Sequence, residues 1–321
     1  LSSKILLHAL DHDVLKILKD EGLLDRRILV GLSGGVDSVA LLRVLSKFLP
    51  KENLKAFYFH HGEHENSVYR DEALLFCEKL CADLNVEFSF EKNEEVGTSE
   101  NFYRELRYQA FYEHMAIHGY DVLALGHHRD DLLETRLLRL LRGTGGQGLV
   151  AMRPLREDIF RPFLGKSKKD LGDYLLLEKL PVIQDPSNDS LDPLRNWLRE
   201  YWLPQLEERS EGSVESLSRS LETIASELDR HGSAWDLLDE NEAYKSHGLS
   251  RIYYLSLSRF EQRRLLAQYL NSLKIKGFSQ SHLEEIQKRL DNSQKVITFR
   301  VGGCNWEVNA EQIRVQTSIS Q

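Results

Sequence analysis

The chain has 321 residues, 41% hydrophobic and 29% charged, with a formal net charge of −8. That length allows two domains, each with its own core, and the acidic balance excludes a protein that coats nucleic acid indiscriminately. No apolar run approaches the roughly 20 residues of a membrane span, and the start lacks a signal-peptide pattern.

Four short β-like runs lie in the first two hundred residues: 27–32 (RILVGL), 55–60 (KAFYFH), 86–90 (VEFSF) and 121–126 (DVLALG). Helical stretches at 38–48, 67–84 and 100–118 separate them, the last closed by Gly119. Strand, helix, strand at this spacing predicts βαβ units, hence an α/β fold with a parallel sheet and helices on both faces. Ligands of such sheets sit beyond the carboxyl ends of the strands. Three polar clusters are delivered to that edge: SGGVDS (33–38), His60 with His61, and HHRDD (127–131).

Beyond about residue 210 the pattern turns helical as far as 291, with Leu217, Leu221, Ile224 and Leu228 at helical spacing. The end alternates apolar and polar residues around Gly302-Gly303, a β-hairpin signature. A boundary near 209 divides the chain into residues 1–209 and a smaller, mainly helical domain of residues 210–321. Charge is segregated: 136–170 hold nine Lys or Arg against three acids, 205–250 four against eleven, and 251–295 nine against four. Such runs suit solvated helix faces, and two basic stretches separated by an acidic one would also suit a partner gripped at two places.

Cys77, Cys81 and Cys304 are the only cysteines. They form no CxxC pair for a zinc site or redox couple, and a reducing cytoplasm is the expected setting.

In SGGVDS, Gly34 and Gly35 let backbone N–H groups approach an anion, while Ser33 and Ser38 add hydroxyls beside a helix N-terminus. The loop lacks the lysine of a Walker motif and carries Asp37 instead. Asp130, Asp131 and Glu134 cluster on the first turns of the next candidate helix, as dipole partners or as oxygen ligands for Mg²⁺. Arg136, Arg139 and Arg142 follow at intervals of three before a glycine-rich GTGGQG, a row suited to phosphate contact or to helix solvation. Asp185-Pro186-Ser187-Asn188 is a turn-and-cap sequence. Arg195, Asn196 and Arg199 lie three to four apart after it, suited to RNA-backbone or catalytic-face contacts. Trp197, Tyr201 and Trp202 could stack on a base, although helix aromatics usually belong to the core.

SGGVDS resembles the pyrophosphate loop of the PP-loop ATPases, which cleave ATP between the α and β phosphates. GHHRDDLLET with RLLRGTGGQGL is similar to the signature of the tRNA(Ile)-lysidine synthetases within that group. FHHGEHENSVYRDEALLFCEKLC, ENFYRELRYQAF, RPFL and DPSNDSLDPLRNWLREYWLP resemble further motifs of the same family. These anchors cover about residues 28–204; the family's usual HGLR is HGEH here, at Glu63 and His64.

The resemblance implies a Rossmann-like catalytic domain and a C-terminal tRNA-binding domain. It implies ATP-dependent attachment of L-lysine to the first anticodon cytidine of a tRNA(Ile) bearing CAU, through an adenylated intermediate. Asp37 and Asp131 would hold Mg²⁺, and His127 would assist substrate activation. Ser33, Gly34, Gly35, Ser38 and Arg107 would hold ATP. Arg104, Arg142, Arg195, Asn196 and Arg199 would contact lysine or tRNA. A homodimer is compatible with the sequence. The rival reading, a PP-loop tRNA thiolase, usually needs paired cysteines that this chain lacks.

Overall fold

The computed structural model describes residues 8–62, 67–93, 95, 100–143, 146–183, 193–233, 248–275, 277–291 and 296–316. Two compact units form: one runs to Leu138 and includes Ala151–Leu221, the other takes Arg139–Val150 and the residues from Glu222 onward. The boundary expected near 209 falls between two helices, Leu203–Arg209 and Ser213–Ser233, and the first unit continues to Leu221, part-way along the second of them.

In the first unit β1 (Ile28–Gly31), β2 (Leu54–His60), β3 (Glu87–Lys92), β4 (Val122–Ala124), β5 (Leu155–Arg156) and β6 (Ile159–Phe160) form one sheet of order β3-β2-β1-β4-β6-β5. β1 pairs in parallel with both β2 and β4, and β5 alone runs antiparallel. The order therefore reverses between β1 and β4, which is where such sheets bind ligands.

Alternate residues of the strands face opposite layers. Ile28, Val30, Ala56, Tyr58, Val122 and Ala124 pack against α1 (Ala9–Asp20), α2 (Val36–Ser46), α3 (Ser67–Leu84) and α6 (Lys168–Glu178). Leu29, Phe57, Phe59 and Leu123 pack against α4 (Glu100–His118). Burial on both faces is why these strands read as near-continuous apolar runs. The expected α/β sheet with helices on both faces is thus the observed one. Lys47, at the end of α2, donates to Asp11 of α1 and Glu178 of α6, both at 2.7 Å. Those bonds anchor the helix that follows the SGGVDS loop.

The β5–β6 hairpin was not anticipated, because strands of two residues carry no periodicity. After α5 (Arg129–Leu141) and α6 come α7 (Pro193–Trp197), a π-helical turn (Leu198–Trp202), α8 (Leu203–Arg209) and α9 (Ser213–Ser233). Leu198, Leu203 and Leu221 pack on Leu133, Leu137 and Leu138 of α5. The helical stripe on α9 uses Leu221 and Ala225, whereas Ile224 is exposed.

In the second unit α10 (Arg251–Ser256), α11 (Arg259–Ser272) and α12 (Gln280–Asp291) accompany a four-stranded antiparallel sheet. The hairpin around Gly302-Gly303 is present as Ile297–Val301 and Cys304–Val308, joined by strands Gln312–Gln316 and Leu249–Ser250. Trp306, Tyr254, Tyr269 and Leu266 centre its core. Among the described residues no helix is long and apolar enough to cross a membrane.

Candidate active site

The loop after β1 is braced from within. The Ser33 N–H and hydroxyl both contact the Ser38 Oγ at 3.1 Å, and the Ser38 hydroxyl donates to the Gly35 carbonyl, also at 3.1 Å. Ser38 is buried, and α2 starts at Val36 with Gly35 as its N-cap, two residues earlier than the sequence suggested. The Ser38 hydroxyl therefore shapes the loop. Gly34 has φ +85°, and a Cβ there would lie 2.7 Å from the Ile183 side chain, so only glycine fits.

The second motif abuts the first. A Cβ on Gly126 would lie 2.9 Å from the backbone C and O of Asp37, so its absence lets the turn after β4 pack directly on the start of α2. His128 caps α5: its Nδ1 accepts from the Asp130 N–H at 3.2 Å, and its own N–H donates to Asp131 Oδ2 at 3.0 Å. The ring's Nε2 then lies 3.7 Å from Asp37 Oδ1 and 3.5 Å from Asp131 Oδ2, between the two carboxylates singled out from sequence. Asp37 Oδ1 is buried and accepts no hydrogen bond among the described residues. Burial raises the Asp37 pKa, reinforced by Asp131 and Asp130 and opposed by His128 and Lys168.

An orphaned carboxylate oxygen beside a second carboxylate fits a hard cation. No three His, Cys, Asp or Glu side chains converge as a cage among the described residues. Mg²⁺ takes one or two carboxylates and completes its shell with water and phosphate oxygens.

Basic groups gather around His127. Arg161, directly after β6, donates from Nε to His127 Nδ1 at 3.3 Å. Burial pushes the His127 pKa down to about 4; Arg161, Arg104 and Arg107 add to this, and Asp131 opposes it. The Arg104 guanidinium lies over the Tyr108 ring, 5.2 Å from its centroid. A cleft of about 280 Å³ opens here, lined by Arg104, Glu105, Tyr108, Ile159 and Arg161. The rim thus carries an acidic locus at Asp37 and Asp131 and a guanidinium locus at His127.

Other expected contacts are redistributed. Arg199 forms a two-pronged ion pair with the buried Glu134, both bonds 2.7 Å, and the Arg195 Nε lies 3.9 Å from the same carboxylate. Arg199 and Arg195 therefore tie the α7–π segment to α5, while Asn196 is half-buried on α7. Asp130 accepts from the Lys168 N–H at the start of α6. The row of Arg136, Arg139 and Arg142 is not uniform: Arg136 is buried, Arg139 donates to the Gly148 carbonyl, and Arg142 is exposed.

His60 is fully buried, held by Asp71 and by the Gly62 N–H, so it latches its loop and does not face the rim. Trp197 and Tyr201 are 46% and 62% exposed and are not core residues, while Trp202 packs against the leucine cluster. Cys77 and Cys81 are buried, and burial raises both thiols, Cys81 to about 12. Glu63, His64, the turn at 185–188 and part of the glycine-rich loop lie outside the described residues.

Comparison with known proteins identifies the family. A PP-loop domain family matches residues 6–206. The chain is 60% identical to a tRNA(Ile)-lysidine synthase of Bdellovibrio bacteriovorus over 96% of its own length and 97% of that protein. The chain belongs to the tRNA(Ile)-lysidine synthases. Another member, from Histophilus somni, is 33% identical over 84% of this chain and 64% of its own length. A U34-tRNA thiolase of Methanococcus maripaludis superposes with a TM-score of 0.55 over 68% of this chain and 78% of its own, at 20% identity, which marks a shared fold. His128, Gly126 and Arg161 lie in stretches singled out from sequence, but none of the three had an individual role there. His128 was legible as a His-x-x-Asp cap, a pattern repeated at His8 and Asp11; Arg161 sat inside RPFL without any periodic signal.

Proposed function

We propose that this chain attaches L-lysine to carbon 2 of the first anticodon cytidine in a tRNA(Ile) with anticodon CAU, consuming ATP. The single observation that carries this reading is the direct packing of Gly126 on Asp37. It joins the loop that cradles phosphates to the turn bearing His127 and Asp131, so adenylation and substitution share one locus.

In the first step the cytosine O2 attacks the α-phosphorus, a P–O bond forms, and pyrophosphate leaves. In the second the lysine ε-amine attacks carbon 2, the C–O bond to AMP breaks, and the amine gives up a proton. Asp37 and Asp131 would hold Mg²⁺, which supplies the positive charge that a Walker lysine supplies elsewhere. The backbone N–H groups of Gly34 and Gly35 hold phosphate, and Ser38, which accepts the Ser33 N–H, keeps that loop in shape. Arg104 and Arg107 bring guanidinium charge to the same rim, for AMP phosphate or substrate. Residues 1–209 serve as the catalytic domain and 210–321 as the tRNA-binding domain. A thiolase reading is disfavoured by two buried thiols whose raised pKa values keep them unreactive.

Asp37→Asn tests the metal assignment. The variant should release no pyrophosphate from ATP while still binding tRNA; pyrophosphate release at the wild-type rate removes Asp37 from that role.

A further inference from the structure

We infer that Arg161 is a positioning residue that fixes His127 in its Nε2-protonated tautomer, making His127 a hydrogen-bond donor in the reaction and not its base. The inference rests on the reaction proposed above and assigns a part in it to Arg161 of RPFL, outside SGGVDS and GHHRDD.

A guanidinium has five N–H donors and no acceptor. The 3.3 Å contact between Arg161 Nε and His127 Nδ1 can therefore form only if Nδ1 offers its lone pair. The neutral ring must then carry its proton on Nε2. Arg161 is itself firmly placed: it is 8% exposed, its backbone N–H donates to the Pro154 carbonyl at 2.6 Å, and it follows the strand paired with β4. The charges of Arg104 and Arg107 on α4 disfavour an imidazolium at this ring, with Asp131 opposing them.

Other histidines of this chain show what is unusual. At His8, His60 and His128 the Nδ1 accepts a backbone N–H two residues further on, at 3.1, 3.1 and 3.2 Å. At His127 the donor is a side chain from the segment that follows β6, so the tautomer can be altered without touching the local backbone.

With Nδ1 engaged and Nε2 protonated, the ring has no lone pair left for a proton. It can donate to an oxygen on which charge builds as the α-phosphorus is attacked or as AMP departs. When the C–N bond forms, AMP leaves with the C–O electron pair, and the amine proton passes to solvent or to the departing phosphate.

The test uses full-length protein labelled with ring-¹⁵N histidine, the His127 signal being identified by its loss in His127→Gln. Wild type should show the Nε2-protonated form, Arg161→Met a mixture, and Arg161→Lys, which keeps a donor, the wild-type form. In lysidine formation His127→Ala should lose about 10²–10³-fold in turnover, the usual cost of one preorganised donor. His127→Gln places an amide N–H where Nε2–H stood and should recover about tenfold or more of that loss. An Nδ1-protonated wild type, an unchanged tautomer in Arg161→Met, or a His127→Gln enzyme as inactive as His127→Ala each overturns the inference. If wild type makes no lysidine, the proposed reaction fails, yet the nitrogen signals still decide what Arg161 does.

Discussion

The ion pair between Glu134 and Arg199 decides whether Arg199 is held by the protein or offered to a ligand, and its energy can be bounded from its geometry. Both guanidinium bonds are 2.7 Å, the Glu134 side chain is 5% exposed and that of Arg199 36%. The hydrogen bonds to Glu134 raise the Arg199 pKa further, and burial opposes this. Breaking a fully buried pair costs about 3–5 kcal/mol, because the remaining charge is left uncompensated. An exposed pair contributes about 0.2–1 kcal/mol. With one partner buried and the other a third exposed, the coupling should be about 1–2 kcal/mol. A double-mutant cycle of Glu134→Gln and Arg199→Met, read by urea unfolding, measures it directly. Arg199→Lys should not restore the coupling, since a single ammonium cannot make the paired contact. A coupling below about 0.3 kcal/mol would mean that the pair contributes nothing measurable to the fold and that Arg199 is available to substrate.

Further expectations concern charge and pH. Lys168 and Lys169 are exposed at the start of α6, whereas Lys166 pairs with Asp13. Charge reversal at Lys168 and Lys169 should weaken tRNA binding most at low salt, and binding unchanged at every salt concentration removes α6 from the footprint. Burial also lowers the His114 pKa to about 4, with His118 and Lys55 adding to the shift, and burial lowers that of His60 despite Asp71. Histidines depressed in the folded state take up protons first in the unfolded chain. Their stabilising contribution is complete above about pH 6.5 and should be lost as pH falls from there towards about 4. His114→Gln should flatten that decline in thermal unfolding scans; an unaltered slope contradicts the assignment.

The parallel sheet was legible because burial on both faces writes strands as short apolar runs, and the helices between them are long enough to show their period. Two-residue strands such as Ile159–Phe160 carry no such pattern, so the element that delivers Arg161 stayed hidden. The site's chemistry was readable where residue type and spacing coincide, as at Asp37 and Asp131. It was obscured where contacts are long-range: nothing local says that Arg199, sixty-five residues from Glu134, would be spent on that carboxylate. The aromatics Trp197 and Tyr201 were misplaced for a related reason. The π-helical turn beginning at Leu198 departs from the 3.6-residue period on which a reading of buried faces depends.

The central claim is that the rim joining SGGVDS to GHHRDD builds lysidine. Incubation of the full chain with Mg·ATP, radiolabelled lysine and tRNA(Ile) bearing CAU tests it most directly. Label should appear in the tRNA, depend on ATP and be absent when the first anticodon base is not cytidine. Unlabelled tRNA under these conditions, from protein that is folded and binds ATP, contradicts it.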